Sequence, residues 1–213
     1  MINEVELNDI NASSISVIMV SYMTGPALFE AIKHVILDTK ISELIIIDNG
    51  NPEQVREKLF LLVKSYGHIK VKTGHGNIGF SKGCNYGAKF ASGNYLLFLN
   101  PDALITKNSA TKLMNLGKNL KRPWITGGKL INSRGEEQRG SRRGEVTLFS
   151  SLLTVLHLGK KTIHQENNPL PNGAIPCSAV SGALLMIDKS SFQIINGFDE
   201  DFFLHVEDLD ICK

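Results

Sequence analysis

Asp48 in IIIDNGN, Asp102 in FLNPD, and the pair Glu207 and Asp208 in HVEDLD are the residues whose types and placement suit chemistry. Asp48 and Asp102 each fall just beyond an apolar run, where a strand would end in a loop. A carboxylate in such a place can ligate a hard divalent cation through oxygen. It can also take a proton from a weakly acidic hydroxyl. A further string, HGNIGFSKGCNYG, is rich in glycine, and a residue without Cβ lets the backbone approach a ligand closely.

These positions need a scaffold, and the hydropathy pattern supplies one. ISVIMVS at 15–21 and ELIIID at 43–48 are nearly continuous apolar runs, as strands covered on both faces require. Residues 69–72 make a short third strand and YLLFL at 95–99 a fourth, stopped by Asn100 and Pro101. Between them lie helical patterns. Pro26 suits a first helical turn, with Leu28, Phe29, Ile32, Val35 and Ile36 following at helical spacing. Asn51 and Pro52 read as N-cap and first helical position, ahead of a stripe of Val55, Leu59, Leu62 and Val63. A third helix is predicted over 80–92 with Gly93 as its C′ residue, and a fourth over 108–120. Strands alternating with helices imply βαβ units, hence a mostly parallel sheet. Ligands bind such sheets outside the carboxyl ends of the strands, the edge where Asp48 and Asp102 fall.

The pattern changes after Leu130. Residues 132–144 and 167–172 read as exposed loops, and 179–187 as one buried strand. Asp188 suits the cap of a short helix reaching Ile195 and ended by Gly197. VTLFSSLLTVLHL at 146–158 has a broad apolar face between Arg142, Arg143 and Lys160, Lys161. A core-facing helix is the expectation, with peripheral membrane association as the alternative, because basic flanks attract anionic lipid.

Composition narrows the classes of function. A net charge of +2 on 213 residues gives no argument for nucleic acid. Three distant cysteines without CxxC spacing argue against a disulfide framework or zinc knuckle and for a reducing compartment. The acidic N-terminus has no secretion signal, and no apolar run approaches the ~20 residues of a membrane span. The expectation is a cytoplasmic chain, possible at the inner face of a membrane, with one domain: a nucleotide-binding half (1–130) and an acceptor and catalytic half (131–213).

Taken together, VSYMTG, IIIDNGN, HGNIGFSKGCNYG, FLNPD and GFDEDFFLHVEDLDICK resemble glycosyltransferase family 2, from about Ile15 to the last residue. The resemblance implies an α/β GT-A (Rossmann-like) fold and metal-assisted, inverting transfer from a UDP- or dTDP-sugar to a glycan or lipid-linked acceptor. It implies that Ser21 and Tyr22 border the nucleobase and that Asp48 accepts a hydrogen bond from it. Asn77, Gly79, Phe80, Gly83 and Asn85 resemble the family's N-x-G-F-x-x-G-x-N beside the nucleoside. Asn100 and Asp102 stand in place of the family's D-x-D, as N-P-D, a variant similar to rhamnosyltransferase-like members. Asp102 is then the ligand of Mg2+ or Mn2+, while neutral Asn100 adds no charge. Glu207 and Asp208 match the family's E-D, with Asp208 as catalytic base and Gly182 and Glu207 on the acceptor side. Such relatives continue with a further helix and a histidine-bearing segment, so a C-terminally truncated domain is expected.

Other readings of the same residues stay open. Asp48 also suits a helix cap, Asp102 a turn after Pro101, and Asp208 a solvated or capping acid. His205 is expected as a packing or surface residue and Lys82 as an exposed helix lysine. GHGNIG fits G-x-G-x-x-G after a strand and before a helix, as in an NAD(P)-dependent enzyme. A truncated, inactive binding module is the alternative outside enzymology.

Overall fold

The computed structural model describes residues 13–138, 140–143 and 173–213. The apolar stretch at 146–158, with both of its readings, lies outside them, as does the loop at 167–172. Six strands form the main sheet: β1 (Ile15–Ser21), β2 (Ile41–Asp48), β3 (Ile69–Lys72), β4 (Tyr95–Leu99), β5 (Ile125–Gly127) and β8 (Leu184–Asp188). Their order is β3-β2-β1-β4-β8-β5. β1 runs parallel to β2 and β4, and β2 parallel to β3. β8 inserts antiparallel between β4 and β5. Two short strands, β6 (Arg142–Arg143) and β7 (Ala179–Val180), pair antiparallel beside it.

All seven residues of β1 are buried, and strand alternation divides them between two cores. Val17 and Met19 pack with helices α1 (Pro26–Ile36), α2 (Glu53–Ser65) and α4 (Ser109–Lys118) through Leu28, Leu59 and Leu113. Ile18 and Val20 pack on the other side with Cys84 and Ala88 of α3 (Phe80–Ala88), and with Phe98 and Phe198. This double coverage explains the uninterrupted apolar runs. Gly83 and Gly87 share one face of α3. A Cβ on them would lie 2.8 Å from Val20 Cγ1 and 2.6 Å from Ile18 Cγ2, so these glycines set how closely α3 approaches β1.

Some expected details differ. Pro26 does open α1, but Pro52, not Asn51, is the N-cap of α2, and no side chain caps it. Asn51 instead turns inward, where its amide donates to the Ser21 carbonyl, Ser21 Oγ and Asp48 Oδ1. Its side-chain oxygen, the atom that would cap a helix N-terminus, accepts from Ser21 Oγ instead. Helix α3 stops at Ala88, short of Ser92, and Gly93 is not its C′ residue. Gly93 is needed for contact: its N–H donates to Ser16 Oγ, and a Cβ would sit 2.6 Å from that oxygen. The single strand expected over 179–187 is broken, because Gly182 lies in a turn between β7 and β8. Asp188 caps helix α5 (Lys189–Ile194) as expected, accepting from the Ser191 N–H at 2.6 Å.

The edge opposite the strand C-termini is tied by Glu43, 4% exposed. One carboxylate oxygen accepts from Ser16 Oγ and from the N–H and Oγ of Ser92, and the other from Lys70 Nζ. Burial pushes this carboxyl up, but Lys70, Ser16 and Ser92 outweigh it and hold it at about 2 against 4.5. Its stabilisation is therefore present above pH 4.5 and is lost as pH falls toward 2. Glu43→Gln should cost about 2–3 kcal/mol at neutral pH, with the difference from wild type shrinking through that window. Denaturant titrations at several pH values check this, and a pH-independent difference contradicts it. Among the described residues, no helix is long and apolar enough to cross a membrane.

Candidate functional site

The loops after β1, β2 and β4 open at one edge of the sheet, around a cleft of about 620 Å³. Tyr22, Asn49, Asn77 and Gly79 line one end of it, and Asn100, Asp102, Gly182, Glu207 and Asp208 the other. β2 and β4 flank β1, so these ends lie two inter-strand spacings apart, about 10 Å.

At the first end, Tyr22 is 52% exposed and its ring passes over Gly50, whose φ of +114° needs glycine. Asp48 lies beneath the floor, its side chain 0% exposed. Its Oδ1 accepts from the Gly50 and Asn51 N–H groups and the Asn51 amide, and its Oδ2 from Arg56 Nε and Thr73 Oγ1. Burial raises this carboxyl, and the Asn51, Thr73 and Gly50 donors more than offset that, leaving it below the usual carboxylate value. Asn77 Oδ1 accepts from the Gly79 N–H at 3.1 Å. That leaves the Asn77 amide protons available to the cleft that Asn77 lines.

Gly79 is the joint between the two ends. The Phe80 N–H donates to the Phe203 carbonyl at 2.8 Å, and a Cβ at 79 would lie 2.7 Å from that oxygen. Residues 203–208 thereby close over the glycine loop. His205 and Val206 both have φ of +73°, an uncommon backbone for a histidine and a strained one for a β-branched valine. This bend turns the chain into the short helix α6 (Glu207–Asp210). Asp208 is buried on it and accepts, at a long 3.4 Å, from the Gly182 N–H. The Asn100 N–H donates to the Ala183 carbonyl, which joins the turn after β4 to the β7–β8 connection.

Of the expected site residues, Tyr22, Asn77, Gly79, Phe80, Asn100, Asp102, Gly182, Glu207 and Asp208 share the cleft wall. The other four stand behind it. Ser21 is buried and bonded to Asn51, Asp48 is enclosed as described, and Gly83 packs on Val20. Asn85 bonds both backbone groups' side of Phe198, its amide donating to the carbonyl and its oxygen accepting from the N–H. Asn49, Thr24, Ser181, Phe203 and His205 also line the cleft without having been singled out for it. Asn49 adjoins Asp48 just past β2, at the strand end where ligands of such sheets bind. Nothing in the sequence signals the positive-φ bend at His205 and Val206, which leaves Phe203 and His205 exposed on the cleft wall. Lys82 is exposed.

Asp102 is exposed on the wall, and among the described residues no hydrogen bond or ion pair engages its carboxylate. No group of three or more His, Cys, Asp or Glu side chains among the described residues could hold a metal ion. A hard cation at the exposed Asp102 carboxylate would have to take most of its oxygens from a bound ligand and water.

This sheet and cleft define an α/β domain with a cleft at its strand C-termini, and the sequence places it in a family. The chain belongs to glycosyl transferase family 2, whose profile matches residues 16–180. It is 25% identical over 202 residues to the low-salt glycan biosynthesis hexosyltransferase Agl10 of Haloferax volcanii, covering 93% of this chain and 60% of that protein. It is 31% identical over 103 residues to the minor teichoic acid biosynthesis protein GgaB of Bacillus subtilis, covering 47% of this chain and 11% of that protein. The structure resembles GalNAc-T7 with UDP, GalNAc and Mn2+ (TM-score 0.68, 19% identity, 95% of this chain and 40% of that one). It also resembles the mannosyltransferase PcManGT of Pyrobaculum calidifontis with GDP-Man and Mn2+ (TM-score 0.58, 14% identity, 92% and 50%). The fold is the GT-A arrangement that the sequence motifs implied.

Proposed function

We propose that the cleft binds a UDP- or dTDP-sugar together with Mg2+ or Mn2+, and that the protein transfers the sugar, with inversion, to a glycan or lipid-linked acceptor. One observation carries the reading: Asp102, in the turn after β4, and Asp208, on α6 more than a hundred residues later, line one cleft at the C-terminal edge of the parallel strands. The glycan pathways named for Agl10 and GgaB support polysaccharide biosynthesis as the setting. The Mn2+ in both similar structures supports the cation.

In this reading Tyr22 stacks on the base, and the Asn77 amide donates to a base carbonyl. Asp48 acts from below, keeping the loop in shape through Gly50 and Asn51; Ser21, Gly83 and Asn85 likewise hold the walls. The sugar and diphosphate lie toward Asn100 and Asp102. A divalent cation bound there would offset the charge developing on the departing diphosphate without proton transfer. Asp208 takes the proton of the acceptor hydroxyl as that oxygen attacks, since sugar hydroxyls are very weak acids. Gly182 holds the Asp208 carboxylate, and Glu207 borders the acceptor. Attack on the face opposite the leaving group inverts the anomeric centre, with no covalent enzyme intermediate.

The dinucleotide reading of GHGNIG finds less support. The string follows β3, the edge strand, and Gly74 and Gly76 face open space outside the cleft lining. Calorimetric titration with UDP, dTDP and NAD, each with and without Mn2+, tests both readings. UDP or dTDP should saturate, more tightly with Mn2+. Saturable NAD binding with no response to either pyrimidine diphosphate overturns the proposal.

A further inference from the structure

We propose that His75 is a positioning residue for the nucleoside end of the cleft, acting through Asn49 as a neutral imidazole protonated on Nε2. The proposal rests on the donor-binding reading above, and the hydrogen bonds around Gly79 carry it.

A backbone N–H can only donate and a carbonyl oxygen can only accept, so Gly79 dictates how its neighbours face. Its N–H lies 3.1 Å from Asn77 Oδ1, which must therefore be the oxygen. Its carbonyl lies 3.0 Å from Asn49 Nδ2, which must be the nitrogen; this amide also reaches Asn77 Oδ1 at 3.4 Å. Asn49 is 2% exposed, so its remaining oxygen needs a partner from the protein. That partner is His75 Nε2 at 3.1 Å. Facing an oxygen whose orientation is already set, Nε2 must carry the proton. The other tautomer would put a lone pair against a lone pair.

His75 is held for this role from its other side. Its ring meets Tyr86 of α3 edge-on at 5.2 Å, and Tyr86 meets Phe90 in the same manner at 5.0 Å. Among the described residues, buried Nδ1 has no hydrogen-bond partner. As a bare acceptor it costs less than a buried, unpaired N–H would add to the mismatch at Nε2. The ring thus fixes the Asn49 amide, and Asn49 holds Gly79 and Asn77, both on the cleft wall. Without the His75 donor, Asn49 is left with an unpaired buried oxygen and loses its reason to keep one orientation.

Two measurements test this. Long-range 1H–15N correlation of the imidazole nitrogens, assigned with His75→Phe, should report the Nε2–H tautomer for His75; an Nδ1–H pattern overturns the proposal. Titration with UDP and dTDP should then show His75→Phe binding the nucleotide that wild type takes about five- to tenfold more weakly, the worth of one net hydrogen bond. His75→Gln, which keeps an N–H donor, should recover to within about twofold of wild type. Equal weakening in both variants, or none in either, overturns the positioning role. Wild-type protein that binds neither UDP nor dTDP would count against the donor reading instead, and the tautomer result would still decide the orientation of His75.

Discussion

Asp208→Asn should lower sugar transfer about 10³-fold, in a preparation competent for transfer, while donor affinity changes less than about threefold. Asparagine keeps the shape and an oxygen able to accept from the Gly182 N–H, so the buried start of α6 retains that contact. It cannot take a proton. The loss should therefore fall on the chemical step, and a donor titration beside a transfer assay separates the two. Turnover near the wild-type rate would remove Asp208 from the role of base. A parallel loss of donor binding would make it a structural residue of the 203–208 bend.

Asp102→Asn carries the second large effect, expected at about 10²-fold or more in transfer. With Asn100 already neutral, the substitution leaves the turn after β4 without a carboxylate. Donor binding should then no longer respond to Mn2+, while binding measured without the metal stays close to that of wild type. The fold should tolerate the change, since the Asp102 side chain is exposed and none of the described residues engages it. Isothermal titration with UDP across a series of Mn2+ concentrations checks the point. A variant whose affinity still rises with Mn2+ would place the cation elsewhere.

Different kinds of information carried the sheet and the cleft. The apolar runs at β1 and β4 gave both strands to the residue, because a strand buried on both faces leaves a signal at every position. The strand beginning at Ile41 was less legible, because its second residue, Ser42, is exposed and interrupts the run. Caps were legible where they are local. Asp188 binds the N–H three residues on, and both partners are close in sequence. Asn51 has the same chemistry but is drawn to Ser21, thirty residues away, and no local pattern contains that competitor. Gly93 resembles a helix terminator for a similar reason, its actual constraint being Ser16 across the sheet.

By itself the sequence determined which residues could do chemistry and which edge of the sheet would hold them, because strand ends and residue types are local properties. It also carried the family, through motifs spread along most of the chain. The tertiary structure alone decided that β8 enters antiparallel beside β4, which brings Gly182 to Asp208. It decided that Asp48 is enclosed and Asn49 faces the cleft, and that Phe203 and His205 line a wall. Each of these depends on pairing between distant segments, where burial and hydrogen-bond partners are set by packing and the spacing of residues along the chain carries no record of them.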